Sequence, residues 1–250
     1  RPRCVPGAAD LIQRQLEAHG LVWDGAPVFQ TRHEDEYRAA LQHLQSQGDT
    51  YICRCTRAVL AAQSRAGPDG PVYAGTCRDS GLRSGDGAVR FRAEAQRLQW
   101  RDGLCGLVQR GIPQEAGDCV LQRADGQIAY QLACVLDEQR MGITEVVRGD
   151  DLLGSTVQQL LLIDRLGFAR PAYAHVRVLS GPDGRKLSKQ NGAAALLLDT
   201  ASARDQLFGA LQALGLSPTA ALQQQAVDEM LRWALTQWPQ WPRSPPPAPV

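Results

Sequence analysis

The residue pattern points to an α/β protein: a parallel-sheet core interrupted by a loop-rich insertion and followed by a short helical tail. Three observations carry this. Residues 143–179 run β-branched, then amphipathic, then apolar again, the strand-helix-strand order that builds parallel sheets. Residues 51–118 break into short apolar runs separated by Gly and Pro. From 200 onward the apolar residues return to helical spacing.

Along the chain, 7–20 places Ala8, Leu11, Ile12 and Leu16 on one helical face, and Gly20 suits the position after a helix end. Residues 21–25 read as a connector. A second helix is expected to open at Thr31, where Glu34 completes a capping-box pattern; Tyr37, Ala40, Leu41 and Leu44 form its stripe and Gly48 ends it. Residues 51–55 look like a strand end and 56–62 like a short helix, before a Gly/Pro-rich stretch at 66–75. Alternation predicts strands at 89–92 and 119–123. After the turn signal at Asp125-Gly126, 128–136 is largely apolar. A strand is expected at 143–148 and a helix opened by Ser155, with Gln158 as its capping partner and Gly167 as its stop. A strand follows at 175–179. Helices are expected at 200–214 and 218–238, the second with Pro218 at its first position. The Pro-rich end, 245–249, is expected to be disordered, and no internal repeat is found.

The composition bounds the function. With 250 residues, 44% hydrophobic and 21% charged, the chain can bury a real core. Its net charge of +1 excludes a global pull toward nucleic acid, so any RNA contact must come from local basic patches. No apolar run is long enough to span a membrane, and the first residues do not lead into a signal-peptide core. Seven cysteines in a chain this large point to a reducing cytoplasm rather than a disulfide framework.

Three groups of residues could carry chemistry. Lys186-Leu187-Ser188-Lys189-Gln190-Asn191 follows a strand and a Gly-opened loop. Flexible ammonium groups there can follow charge moving onto a departing pyrophosphate, or the loop is simply solvated and basic. Cys53 and Cys55, then Tyr73 and Cys77, put three soft ligands on two short turns. They could bind zinc, which wants a fourth ligand, or be three separate buried thiols. Tyr130 and Arg148 each leave an otherwise apolar segment. They could meet in a pocket where Arg grips a carboxylate, or be a core Tyr and a surface Arg.

The lysine-bearing stretch resembles the second signature loop of class I aminoacyl-tRNA synthetases, Lys-Met-Ser-Lys-Ser, with Leu187 for Met and Gln190 for the last Ser. The Cys-x-Cys and Tyr-x-x-x-Cys pattern resembles the zinc site of the glutamyl-Q tRNA(Asp) synthetases, a shortened group in the glutamyl branch. The stretches around Tyr130 and Arg148 resemble the same branch, although Asp137-Glu138 stands where many members have Asp-Asp. The likeness runs from Val5-Pro6-Gly7 through the signature loop and weakens beyond it.

That resemblance implies a Rossmann-like catalytic core with a zinc-bearing insertion. Residues 1–50 would be the remainder of the first half of the nucleotide-binding core, 51–118 the insertion, and 119–198 the second half. Residues 199–243 would form the helical C-terminal region and 244–250 a disordered tail. It implies ATP contacts from Lys186, Leu187, Ser188, Lys189 and Gln190, with Lys189 stabilising the adenylation transition state. Tyr130 and Arg148 would hold L-glutamate, and Cys53, Cys55, Tyr73 and Cys77 would bind zinc. The implied activity is ATP-dependent, Mg-assisted activation of glutamate and its transfer to the queuosine base of tRNA(Asp), by a cytoplasmic monomer. Two alternatives remain: a truncated glutamyl-tRNA synthetase charging tRNA(Glu), or an inactive RNA- or zinc-binding remnant. The family's His-containing ATP signature is expected upstream of Arg1, so the chain as given is expected to hold half of the ATP site.

Overall fold

The computed structural model describes residues 5–82, 87–112, 114–179 and 196–238. The loop at 186–191 and the Pro-rich end lie outside the described residues. In chain order the elements are α1 (Ala8–Ala18), α2 (Glu34–Ser46), β1 (Thr50–Cys53), α3 (Arg57–Gln63), β2 (Arg65–Gly67) and β3 (Gly70–Val72). Then come β4 (Ala88–Phe91), β5 (Arg97–Asp102), β6 (Gly106–Gly111), β7 (Val120–Gln122) and α4 (Tyr130–Arg140). The rest are β8 (Glu145–Gly149), α5 (Leu153–Leu166), β9 (Ala172–Val176), α6 (Thr200–Ala213), α7 (Ala220–Gln223) and α8 (Val227–Gln237). The protein is mixed α/β, as expected. No described helix is long and apolar enough to cross a membrane.

Two compact units divide the chain. The larger, Val28–Val176, contains all nine described strands. Strands β1, β4 and β7 form an antiparallel sheet, while β2–β3 and β5–β6 are hairpins. Strands β8 and β9 pair in parallel, joined by α5, so the strand-helix-strand reading of 143–179 holds. Among the described residues this is the one parallel pair; the other pairings are antiparallel.

The core explains the arrangement. Helix α5 buries Val157, Leu160, Leu161, Leu162 and Ile163, so it is apolar around most of its circumference and lies inside the unit. Leu41 and Leu44 of α2, Leu121 of β7, Leu132 and Val135 of α4 and Trp100 of β5 pack into the same cluster. Strand β5 alternates exposed and buried residues strictly, so Leu98, Trp100 and Asp102 face inward. Its turn into β6 is closed by Asp102, whose carboxylate accepts from the Leu104 and Cys105 N–H groups at 3.1 and 3.0 Å.

Several boundaries differ from the sequence reading, each for a local reason. Thr31 sits in a 3-10 turn, and α2 begins at Glu34, where Glu34, Asp35 and Glu36 fill the first turn and favour the helix dipole. Ser155 does not cap α5, which starts at Leu153; its hydroxyl accepts from the Gln131 amide at 3.1 Å and ties α5 to α4. Strand β9 is Ala172–Val176 rather than 175–179, because its partner β8 sets the register and ends at Gly149 opposite Val176. The apolar run at 128–136 falls mostly in α4. Hairpins β2–β3 and β5–β6 fall where the sequence suggested only loops.

The smaller unit, Arg1–Pro27 with Arg177–Trp241, is helical where described. Its core is Leu207, Leu211, Met230 and Ala234. Gly20 follows the end of α1 with a φ of +72°, a backbone that favours glycine, and a Cβ there would stand 2.8 Å from the tip of the Leu231 side chain, which would have to shift. The segment 218–238 forms two helices: Thr219 caps α7 by accepting from the Leu222 N–H at 3.3 Å, which leaves Pro218 outside.

Leu162 is fully buried in α5 and Leu107 on β6 is 61% exposed. Leu162→Ala is therefore expected to cost about 2–5 kcal/mol and Leu107→Ala less than about 0.5 kcal/mol, read as the shift in urea-unfolding free energy.

Candidate active site and metal centre

The cysteine cluster is assembled by three short pieces of the larger unit. Cys53 ends β1, and Cys55 lies just before α3, whose cap Thr56 accepts from the Val59 N–H at 3.3 Å. Tyr73 follows β3, and Cys77 sits in the turn that the Arg78 N–H closes onto the Gly75 carbonyl at 2.8 Å. The three sulfur atoms lie within 4.8 Å of one another. Cys55 and Cys77 Sγ are 3.5 Å apart, and the Tyr73 hydroxyl is 3.3 Å from Cys53 Sγ and 3.6 Å from Cys55 Sγ.

These distances fit one ion. A tetrahedral zinc with bonds of about 2.3 Å to sulfur and about 2.0 Å to oxygen separates sulfurs by about 3.8 Å, and sulfur from oxygen by about 3.5 Å. The phenol oxygen thus stands where the ligand missing from a three-cysteine set would be. The Cys77 N–H donates to the same oxygen at 2.9 Å and fixes its place. Burial raises the Cys53 thiol, but the Tyr73 hydroxyl, the Cys55 N–H and the Arg90 guanidinium outweigh it and bring it down to about 7. Cys55 is pushed up to about 11, by burial first and then by the neighbouring thiols. Burial and Cys53 also raise Tyr73, so without a metal the phenol keeps its proton.

Arg90 backs this cluster from β4. It is 7% exposed, stacks its guanidinium 3.8 Å above the Tyr73 ring and donates to the Asp118 carbonyl at 2.8 Å. The buried Asp118 carboxylate accepts from Tyr51 at 2.6 Å, Arg78 at 2.5 Å and the Ala93 N–H at 3.0 Å. The cluster therefore rests on a polar base in which the Asp118 carboxylate has three donors, while Arg90 Nε is buried without a partner.

Tyr130 and Arg148 belong to a second neighbourhood. Tyr130 opens α4 and is half exposed; Arg148 lies on β8, 5.2 Å from the centre of the Tyr173 ring. The Tyr130 hydroxyl is raised by burial and the Cys134 thiol, while the Arg148 charge pulls it down. Burial also raises Glu138, again against Arg148. One cation thus acts on Tyr130, Cys134, Glu138 and Tyr173 together. The two residues share one electrostatic environment.

Behind Arg148 lies a buried hydrogen-bond series. Arg148 Nη2 is 2.6 Å from Thr156 Oγ1, which is 2.8 Å from His175 Nε2; His175 Nδ1 is 2.5 Å from Asp102 Oδ2. Although burial would raise it, Asp102 is held below the usual carboxylate range by the Cys105 N–H and the His175 ring. Asp102, Thr156 and His175, like Arg90, were not anticipated. A histidine between Ala174 and Val176 in an apolar strand is a sequence sign of a buried partner, but its carboxylate is 73 residues away.

A cleft of about 450 Å³ runs between the two neighbourhoods, lined by Tyr73, Arg90, Asp118, Tyr130, Gln131 and Gln158 among others. A larger cavity of about 630 Å³ opens at the starting ends of β8 and β9 and holds none of the candidate residues. Lys186, Leu187, Ser188, Lys189 and Gln190 lie outside the described residues.

Known proteins resemble this chain. Residues 1–238 match the family model for tRNA synthetases class I (E and Q), catalytic domain. The glutamyl-Q tRNA(Asp) synthetase of Chromobacterium violaceum is 46% identical over 239 residues, covering 95% of this chain and 78% of the relative. That of Thiobacillus denitrificans is 45% identical over 241 residues, covering 95% and 79%. Among solved structures, the glutamate-tRNA synthetase from Elizabethkingia anophelis superposes with a TM-score of 0.69 at 24% identity. That match covers 92% of this chain and 56% of the solved one, and it supports the fold alone. On the family match and the identity to these relatives, the chain belongs to the class I tRNA synthetase family of the E and Q type, through its catalytic domain.

Proposed function

We propose that this chain is the catalytic part of an enzyme that activates L-glutamate with ATP and transfers the glutamyl group to the queuosine base of tRNA(Asp). The observation that carries the reading is Arg148, presented beside Tyr130, in a chain 46% identical across 95% of its length to a glutamyl-Q tRNA(Asp) synthetase.

The chemistry asks for few groups. A guanidinium binds a carboxylate with paired, charge-assisted hydrogen bonds, so Arg148 selects the acidic amino acid and Tyr130 orients it. The α-carboxylate of glutamate attacks the α-phosphorus of Mg-bound ATP, and pyrophosphate leaves. Lys189, with Lys186, Leu187, Ser188 and Gln190 around the nucleotide, balances the charge that gathers on the departing group. A hydroxyl of the modified base then attacks the acyl carbon of the glutamyl-adenylate and AMP departs. Cys53, Cys55, Tyr73 and Cys77 would hold a zinc ion, which would supply structure to the insertion at 51–118. The protein works as a cytoplasmic monomer.

The fold is shared with glutamate-tRNA synthetases, so charging of tRNA(Glu) is the competing reading. Pyrophosphate exchange by the full-length protein separates the two. Exchange is expected to depend on glutamate and to proceed without tRNA; strict dependence on tRNA would sink the proposal, and no exchange at all would favour a non-catalytic remnant. Arg148→Ala is expected to raise the KM for glutamate about 100-fold, and Lys189→Ala to lower kcat about 100-fold or more.

Zinc saturation followed by desalting is expected to leave about one equivalent bound, measured by atomic emission. Cys77→Ser should abolish retention and Tyr73→Phe weaken affinity about 10- to 100-fold. Since the ligands bind as anions, and Cys55 and Tyr73 hold their protons tightly in the metal-free site, affinity should rise from pH 6 to pH 8.

A further inference from the structure

We propose that Asp102, His175 and Thr156 are positioning residues whose buried hydrogen-bond chain sets the orientation of the Arg148 guanidinium toward the glutamate carboxylate. The inference rests on the reading of Arg148 as the glutamate-binding residue and adds what holds it in place.

The topology brings the members together from separate elements. Parallel pairing sets Arg148 directly opposite His175. Thr156 comes from the first turn of α5, the helix that joins their two strands. Asp102 ends β5, from the hairpin far upstream. The side chains of His175 and Asp102 are wholly buried and Thr156 is 0% exposed.

The hydrogen bonds run in one direction. An ionised Asp102 can only accept, and it takes the His175 Nδ1–H at 2.5 Å and the His175 backbone N–H at 3.0 Å. With its proton on Nδ1, the neutral ring leaves Nε2 as an acceptor. The Thr156 O–H lies 2.8 Å from Nε2, against 3.1 Å from the Leu152 carbonyl, and donates to the ring. The Thr156 oxygen then offers its lone pairs to Arg148 Nη2 at 2.6 Å. Arg148 Nε points at the same ring nitrogen from 3.4 Å. The guanidinium is thereby held along one edge, and among the described residues no hydrogen-bond partner of Nη1 is seen, so Nη1 with the second Nη2 hydrogen can meet a ligand carboxylate. The Tyr173 ring, stacked on His175, limits its swing on the flank.

Energetics favours a geometric role over a stabilising one. Polar groups buried this deeply repay their lost hydration only when fully bonded, and apolar replacements of the same shape are often as stable. A network that contributes little net stability, yet ends on the guanidinium assigned to glutamate, pre-orients that cation.

Glutamate-dependent pyrophosphate exchange by the full-length protein tests this. Thr156→Val keeps the shape and removes the hydroxyl. It is expected to raise the KM for glutamate about 10- to 100-fold, with kcat and the KM for ATP within about twofold of wild type and the thermal midpoint little changed. Thr156→Ser should restore the KM to within about threefold. Asp102→Asn, which disturbs the ring's tautomer, should act in the same direction, and the double variant should be no worse than the more affected single one, since both break one chain. A glutamate KM unchanged in Thr156→Val and Asp102→Asn, or glutamate and ATP KM rising together with a fall in midpoint, overturns the positioning role while leaving Arg148's assignment intact. A wild-type protein without saturable dependence on glutamate overturns both.

Discussion

The parallel pairing of β8 with β9 is the constraint on which the larger unit depends. Parallel strands cannot be joined by a tight turn, so a crossover is required, and α5 provides it while filling the core with Val157, Leu160, Leu161, Leu162 and Ile163. That one arrangement fixes the register that sets Arg148 against His175. It also delivers Thr156 beside both of them from the first turn of α5. The backbone of Arg148 is therefore placed by strand pairing before any side chain contributes.

The hairpin β5–β6 completes this centre from outside the pair. Asp102 serves both ends of the problem: its carboxylate closes the hairpin turn through Leu104 and Cys105, and it receives the ring of His175. A single buried anion with four N–H donors is fully satisfied, which is the condition for keeping a charge in an apolar setting. The same logic recurs beneath the cysteine cluster, where Asp118 collects Tyr51, Arg78 and Ala93. Each candidate centre stands on a carboxylate whose partners come from several elements, so each is coupled to the integrity of the fold around it.

The cysteine lobe shows why a phenol can complete a metal set. Its elements are short, three to seven residues each, and bury little. Close approach of three sulfurs and an oxygen is unfavourable as anions without a cation, and burial with the neighbouring thiols favours the protonated forms of Cys55 and Tyr73. Arg90, over the Tyr73 face, adds positive charge that also favours the Cys53 thiolate.

Local pattern and chemistry were legible in the residues alone. The order strand-helix-strand at 143–179, the stripe of Tyr37, Leu41 and Leu44, and the spacing of Cys53, Cys55, Tyr73 and Cys77 are written in nearest-neighbour periodicity and residue type, which act over a few residues. Boundaries were less so: Thr31 and Ser155 carry cap-like side chains, but where a helix starts depends on what its first turn packs against. The antiparallel partners of β1, the two unexpected hairpins and the Asp102–His175–Thr156–Arg148 chain were decided only in three dimensions. The sequence determined which groups could do the chemistry, because reactivity belongs to the side chain. The tertiary structure decided which of them meet and which way each proton points, because a hydrogen bond depends on distance and direction between groups that the chain alone leaves 73 residues apart.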